Sequence, residues 1–352
     1  MGDTQENIRL DGLDMARFIA FIGMVIVNFN VVMGGDPETG VLSFFIKTLE
    51  GRAAATFVVL AGIGLGLAVK NDNSNQSVSD TIKRALFLLV LGLLNTLIFD
   101  ADILHYYAFY FLFGVFCLRL SSVYLLILMG LTNIAFFIML LIFDYDAGWN
   151  WADYSYVDFW TLAGFARNLF FNGWHPVFPW LSFLLWGIVL SRLSLAQKNT
   201  QNTLIICGFL GYLGVETLSV VCMNLFAGAD PELLLLFGTG PVPPFPLYIG
   251  AGVSVASMVV GICLKSARWM EKTGALGIII PAGRQTLSLY IGHIVVGMGT
   301  LEALGMLGGQ SVLSVVAAAF IFCAVAIVYA YFYSRMFKRG PIETLMRKVT
   351  GF

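Results

Sequence analysis

Long apolar runs separated by short polar breaks dominate the chain. Ten stretches, 13–33, 52–70, 84–99, 101–119, 121–143, 175–192, 203–227, 246–265, 284–303 and 312–336, each approach the roughly 20 apolar residues that a helix needs to cross a hydrocarbon core. Two neighbouring pairs meet so closely, around Asp100 and around Ser121 and Ser122, that they predict helical hairpins. The pattern predicts an all-α fold: a polytopic transmembrane helical bundle of about ten spans, forming one integral membrane domain over residues 1–352.

The segments between the runs differ in kind. Residues 71–80 (NDNSNQSVSD) read as a polar mobile loop, and PVPPFP (241–246) as a stiff one. Residues 144–174 are rich in Trp and Tyr, which predicts a helix lying in the outer interface. Residues 337–352 read as a cytoplasmic tail. The glycines of AGIGLGL (61–67) place Gly62 and Gly66 four apart, a spacing for close helix packing.

Charge tests the span count. Of the 20 Lys and Arg residues, only Lys47, Arg52 and Arg167 fall on the side opposite the N-terminus when ten spans are drawn. By the positive-inside rule both termini are then cytoplasmic. One missed span would invert every later loop and destroy the sorting. Composition agrees: 59% of residues are apolar and 12% charged, against about 25% charged in soluble domains. The mean hydropathy is +0.85. The first run is too long for a cleavable signal and is expected to remain as a helix. The five cysteines lie inside apolar runs with no CxxC pair, so neither a disulfide framework nor a metal site is expected. The bilayer is the partner that composition demands; no nucleic acid is expected, and a homodimer stays open.

Ionisable groups in hydrocarbon are costly, so each is a functional candidate. One set lies towards the outer side: Asn28, Arg52, Asp102, His105 and His175. Asp102 and His105 are three apart and share a helix face. Neutral imidazole is a competent general base near neutrality, and a carboxylate orients it. Asn28 and Arg52 suit an oxyanion or an acceptor. A second set, Asp14, Arg17, Arg84 and Arg284, lies at cytoplasmic helix ends, where arginines beside helix N-termini suit phosphates. Glu216 reads as mid-depth in its span, and His293 as deep in its own. Plain structural readings stand beside these: an Asp14–Arg17 ion pair within one helix, Arg84 as a positive-inside anchor, His105 as interfacial polarity, His175 as a helix-end residue before a proline, and His293 as a bond to a neighbouring helix. There is no Walker motif, HExxH or GxSxG.

Several segments resemble known families. RLDGLDMARFIAFIGMVIVNF followed by GRAAATFVVLAGIGLGL resembles the opening of the heparan-α-glucosaminide N-acetyltransferase catalytic domain and its bacterial relatives. RALFLLVLGLLNTLIFDADILHYYAFYF, GRQTLSLYIGH and RGPIETLMR resemble spans and the tail of the DUF418 membrane proteins, a family of unassigned function. The resemblance implies acetyl-CoA or another acyl-CoA as cytoplasmic co-substrate, an extracytoplasmic acceptor, usually a sugar, and residence in the plasma (bacterial inner) membrane. It carries Asp14 and Arg17 onto the family's Asp-x-x-Arg head, Asn28 onto the polar residue after a β-branched run, and His293 onto a terminal histidine. One departure stands out. The animal enzyme has its catalytic histidine in the outer loop after the first of these spans, and here that loop, residues 31–51, contains none.

The sequence therefore points to a transmembrane acyltransferase with no metal. Its expected catalytic residues are His105, Asp102 and, in reserve, His175. Asn28, Arg52, Glu216 and His293 are expected to bind substrate, and Asp14, Arg17, Arg84 and Arg284 the acyl-CoA. The alternative is a transporter or flippase for a small solute or lipid-linked sugar, with Glu216 and the histidines as a proton relay.

Overall fold

The computed structural model describes residues 10–35, 40–71 and 75–351. Arg9, residues 36–39 of the outer loop and residues 72–74 of the polar loop lie outside the described residues. Helices dominate: α1 (Asp11–Met33), α2 (Val41–Leu49), α3 (Arg52–Asn71), α4 (Asn75–Asn95), α5 (Leu104–Cys117), α6 (Ser122–Ile142), α7 (Leu162–Arg167), α8 (Val177–Ser191), α9 (Lys198–Leu225), α10 (Pro231–Leu235), α11 (Pro246–Lys272), α12 (Leu276–Arg284), α13 (Thr286–Gly292), α14 (Gly299–Ala303), α15 (Val312–Met336) and α16 (Pro341–Thr350). Two π-helical turns, Asn168–Asn172 and His293–Met298, extend α7 and join α13 to α14.

Each of the ten expected runs is largely helical. Among the described residues, however, six helices are long and apolar enough by themselves to cross a membrane. They become seven if Leu162–Asn172 and Val177–Ser191, bent by 53°, count as one. The shortfall from ten has physical causes. The 14 residues of α5 reach only about 21 Å at the helical rise of about 1.5 Å per residue, short of a core of about 30 Å. The stretch 286–303 is interrupted by its π turn, and α4 begins as early as Asn75, inside the expected polar loop, so its first turns carry Asp80, Lys83 and Arg84.

Two other expectations are corrected. The segment after α6 is not a helix at its start. It forms a small antiparallel pair, Trp149 opposite Tyr156 and Asn150 opposite Ser155, before Thr161 caps α7 by accepting from the Gly164 amide at 3.0 Å. Indole and phenol groups mark depth in a membrane, not backbone shape. The α4–α5 pair does pack as a hairpin, whereas α6 turns away from α5 to lie against α8.

The core is built around α1, α3, α8 and α11. Windows of α1 and α11 are 56% buried, those of α6 and α9 only 17%. The apolar outer faces of α6 and α9, including Ile127, Leu131, Phe209 and Leu213, are thus the lipid-facing periphery. In lipid no hydrophobic force drives helices together, so close backbone approach must. Gly62 of α3 sits on the Leu184 carbonyl and on Gly187 of α8, and Gly187 in turn sits on the Val59 carbonyl. A side chain at either glycine would collide with backbone.

The tail is not loose. Residues 341–350 form α16, which docks on α4 and α13 with Met346 and Thr350 buried. The Glu343 carboxylate accepts from the Leu287 amide at 2.9 Å, the Ser288 amide at 3.1 Å and the Ser288 hydroxyl. It thereby caps the first turn of α13, whose amides have no partner within that helix.

Candidate functional site

At the end of the bundle where α1 begins, arginines gather. Asp14 accepts from Arg17 at 2.5 Å and from Arg284 at 3.2 Å, and Arg284 also reaches Asp11 at 3.1 Å. Gly64 faces the Arg17 guanidinium and leaves it room. Arg84 projects from α4 with its guanidinium 5.8 Å from the Phe111 ring centre. Asp14, Arg17, Arg84 and Arg284, which sequence reasoning grouped, all line one cavity of about 330 Å³. It runs past Phe57, Leu104 and Tyr107 to Ile103 and Tyr290 in the interior.

Deeper in α1, the side-chain amide of Asn28 donates to Nε2 of His293 at 3.0 Å. The other ring nitrogen of His293, Nδ1, donates to the Tyr290 carbonyl, which fixes Nε2 as the acceptor. His293 is fully buried, with its ring perpendicular to that of Phe21. It opens the π turn, and such turns recur at functional sites because the extra residue re-aims side chains. A second, smaller cavity of about 50 Å³ is lined by Asn28, Gly51, Ala101, Ile103, His175 and Tyr290. That is room for a few water molecules or one projecting chemical group.

Ile103 and Tyr290 therefore line both cavities, one from each side. The Tyr290 hydroxyl accepts from the Ile103 amide at 3.2 Å and donates to Asp102 at 3.3 Å. This bonded pair is the partition between the arginine-lined space and the space beside Asn28.

Asp102 is fully buried and heavily bonded. One carboxylate oxygen takes the Asn95 amide at 2.7 Å; the other takes the Leu104 and His105 amides at 2.8 and 3.2 Å and Nδ1 of His105 at 3.2 Å. It caps α5 and orients His105 together. Gly92 of α4 permits this, because a side chain there would strike the His105 backbone. Nε2 of His105 has no hydrogen-bond partner among the described residues. It is covered by aromatic rings: Tyr106 at 3.9 Å and Phe159 at 5.6 Å between ring centres. The His175 ring lies 5.7 Å from that of Tyr106, and its Nδ1 has no partner among the described residues. Of these two histidines, His175 is the one that lines the smaller cavity.

Arg52 and Glu216 form a separate group. The buried Arg52 guanidinium donates to Glu216 at 2.7 Å and to Thr239 at 3.2 Å, and Thr239 donates back to Glu216 at 3.2 Å. Glu216 thus stands level with the start of α3, not at mid-depth, and neither residue is among those lining the two cavities above. The cluster clamps the loop before α11 to α3. Among the described residues no group of three or more His, Cys, Asp or Glu side chains could hold a metal ion.

Three participants escaped the sequence reading. Tyr290 sits three residues before His293 in SLYIGH, the only hint of a shared face. Asn95 is seven residues before Asp102, a spacing with meaning only once the α4–α5 turn is known. Glu343 lay in the quoted tail with no partner to assign.

Residues 9–224 match the family described as heparan-alpha-glucosaminide N-acetyltransferase, catalytic, and residues 189–352 match a protein family of unknown function, DUF418. Together the two matches cover nearly the whole chain. No protein of curated function matches it.

Proposed function

The chain belongs to the heparan-α-glucosaminide N-acetyltransferase catalytic family, and from that premise we propose that it moves an acetyl group from cytoplasmic acetyl-CoA to an extracytoplasmic acceptor, a sugar or glycan. The observation that carries this reading is the shared wall: two cavities, one lined by arginines and one by Asn28 and His175, meet back to back at Tyr290 and Ile103. In this reading the expected topology of ten spans with both termini cytoplasmic puts the arginine-lined cavity on the donor side.

Each residue then has a stated task. Arg17, Arg84 and Arg284 hold phosphate oxygens at the mouth of the larger cavity. Its apolar walls take the thioester arm as far as Tyr290. The Asn28 amide has two N–H groups; one is spent on His293 and the other is left for the acyl oxygen as charge develops there. His293, locked by the Tyr290 carbonyl, is the positioning residue for Asn28. His175 takes the proton from the acceptor's hydroxyl or amine as that atom attacks the acyl carbon. When the carbon–sulfur bond breaks, the same imidazole returns the proton to the leaving thiolate. His105, oriented by Asp102, is the second base of the pair and stands behind Tyr106.

The test uses purified full-length protein, radiolabelled acetyl-CoA and a panel of amino sugars and glycans. His175→Ala is expected to lower acetyl transfer by about 10²–10⁴-fold. A loss confined to His105→Ala would move the base to that residue. Transfer that survives both substitutions, or no CoA release with any acceptor, would defeat the reading. CoA-independent uptake of solute into vesicles would favour a transporter instead.

A further inference from the structure

Beyond the arginine-lined cavity the tail closes over a larger space. Lys338 and Arg339 lie in the connection from α15 to α16, and Arg347 lies on α16. With Arg84, Arg284 and Glu343 they line a cavity of about 780 Å³. Arg84, Arg284, Glu343 and Met346 line this space and the inner cavity alike, so the two adjoin. Five cationic side chains and one carboxylate line this space; Arg284 is also paired with Asp11 and Asp14, and Glu343 is engaged by Ser288 and the start of α13. Such a space attracts an anion of several charges, and guanidinium groups match phosphate oxygens in pairs.

Shape adds to charge. The wide cationic space adjoins a narrower one less than half its volume, lined by Phe57, Leu104 and Tyr107. A ligand that fills both has a bulky head bearing several phosphates and a thin, largely uncharged arm. We propose that Lys338, Arg339 and Arg347 form the subsite for the nucleotide phosphates of the acyl donor, so that the C-terminal segment, rather than the bundle alone, selects a phosphorylated donor over its bare arm. This rests on the acyltransferase reading above and adds residues to it. Phosphates could also arrive on lipid headgroups, which basic pockets on the cytoplasmic side of membranes bind.

The experiment uses full-length protein in nanodiscs of phosphatidylcholine. CoA and pantetheine are compared in equilibrium binding, and acetyl-CoA and acetyl-pantetheine as donors. In the triple variant Lys338→Ala, Arg339→Ala, Arg347→Ala, the preference for the nucleotide-bearing ligand is expected to fall at least about tenfold in both measurements. Arg339→Lys and Arg347→Lys keep the charge and should retain most of the preference if the triple variant proves unstable. An unchanged preference overturns the proposal. So does a phosphatidylglycerol nanodisc arm in which the wild type retains more anionic lipid than the triple variant while both bind CoA alike, which would make lipid headgroups the cluster's ligand. Binding of CoA without any acyl transfer would sink the enzymatic reading while leaving the phosphate subsite standing.

Discussion

The Tyr290 hydroxyl stands 3.3 Å from the Asp102 carboxylate and 3.2 Å from the Ile103 amide, and these contacts close the wall between the two cavities. Asp102 in turn orients His105, while the Tyr290 carbonyl holds His293 and through it Asn28. One tyrosine thus joins α13 to α5 and, through the histidine after it, to α1.

Tyr290→Phe keeps the ring and removes the hydroxyl. The Ile103 amide is left without its acceptor inside the protein, a loss of about 1–3 kcal/mol. A lower unfolding temperature in detergent, with the cavity wall still in place, is the expected outcome. Tyr290→Ala removes the wall itself and is expected to raise acceptor-independent donor hydrolysis, read as CoA release without acceptor.

Gly187→Val forces a branched side chain against the Val59 carbonyl and Gly62. Overpacking at such a crossing costs about 1–3 kcal/mol. The variant should melt earlier than the wild type, and Gly214→Ala, which meets open space, should not.

Glu216→Ala leaves the buried Arg52 guanidinium without its counter-charge, held only by Thr239 and the Lys47 and Thr48 carbonyls among the described residues. Removing one partner of a buried pair costs up to about 3–5 kcal/mol. Glu216 is 31% exposed, which places the effect towards the lower figure. Stability should fall with little change in donor KM. A large KM change with stability intact would return Glu216 to the substrate site.

Docking of α16 carries a pH dependence. Burial pushes the Glu343 carboxyl above its ordinary value of 4.5, against the opposing pull of Ser288 and nearby backbone amides. A folded pKa above the unfolded one means that the docked state holds more protons. Docking is therefore strongest below about pH 4.5 and weakens as pH rises through the elevated value. Hydrogen exchange over residues 341–350, corrected for intrinsic rates, should show less protection at neutral pH than near pH 4.5. In Glu343→Gln this difference should vanish.

Helices were legible because apolar runs are long and their breaks are polar. The run at 101–119 shows the limit: α5 is only 14 residues, because Asp102 turns the backbone and caps the helix instead of riding within it. α2 escaped notice because an apolar stretch of nine residues between two spans reads as loop. Polar residues inside apolar runs announced themselves, so Asp14, Arg17, Arg84 and Arg284 were grouped from expected helix ends; all four line one cavity, though Arg84 lies midway along α4 and Arg284 ends α12 instead of standing beside a helix N-terminus. Glu216 announced itself equally, yet its partner Arg52 is 164 positions away and nothing local reveals the pairing. Tyr290 was illegible for the opposite reason. A tyrosine in an apolar span is ordinary until its hydroxyl is seen between an amide and a carboxylate.

The Glu343 cap on α13 has a practical corollary. The amides that donate to it belong to Leu287 and Ser288, and the partition tyrosine follows within one helical turn. A handle fused behind residue 352 would sit on a lever whose short arm ends at Tyr290. Affinity tags belong at the other terminus, and a chain trimmed before Glu343 should be assayed as an altered machine, not as a cleaner version of the same one.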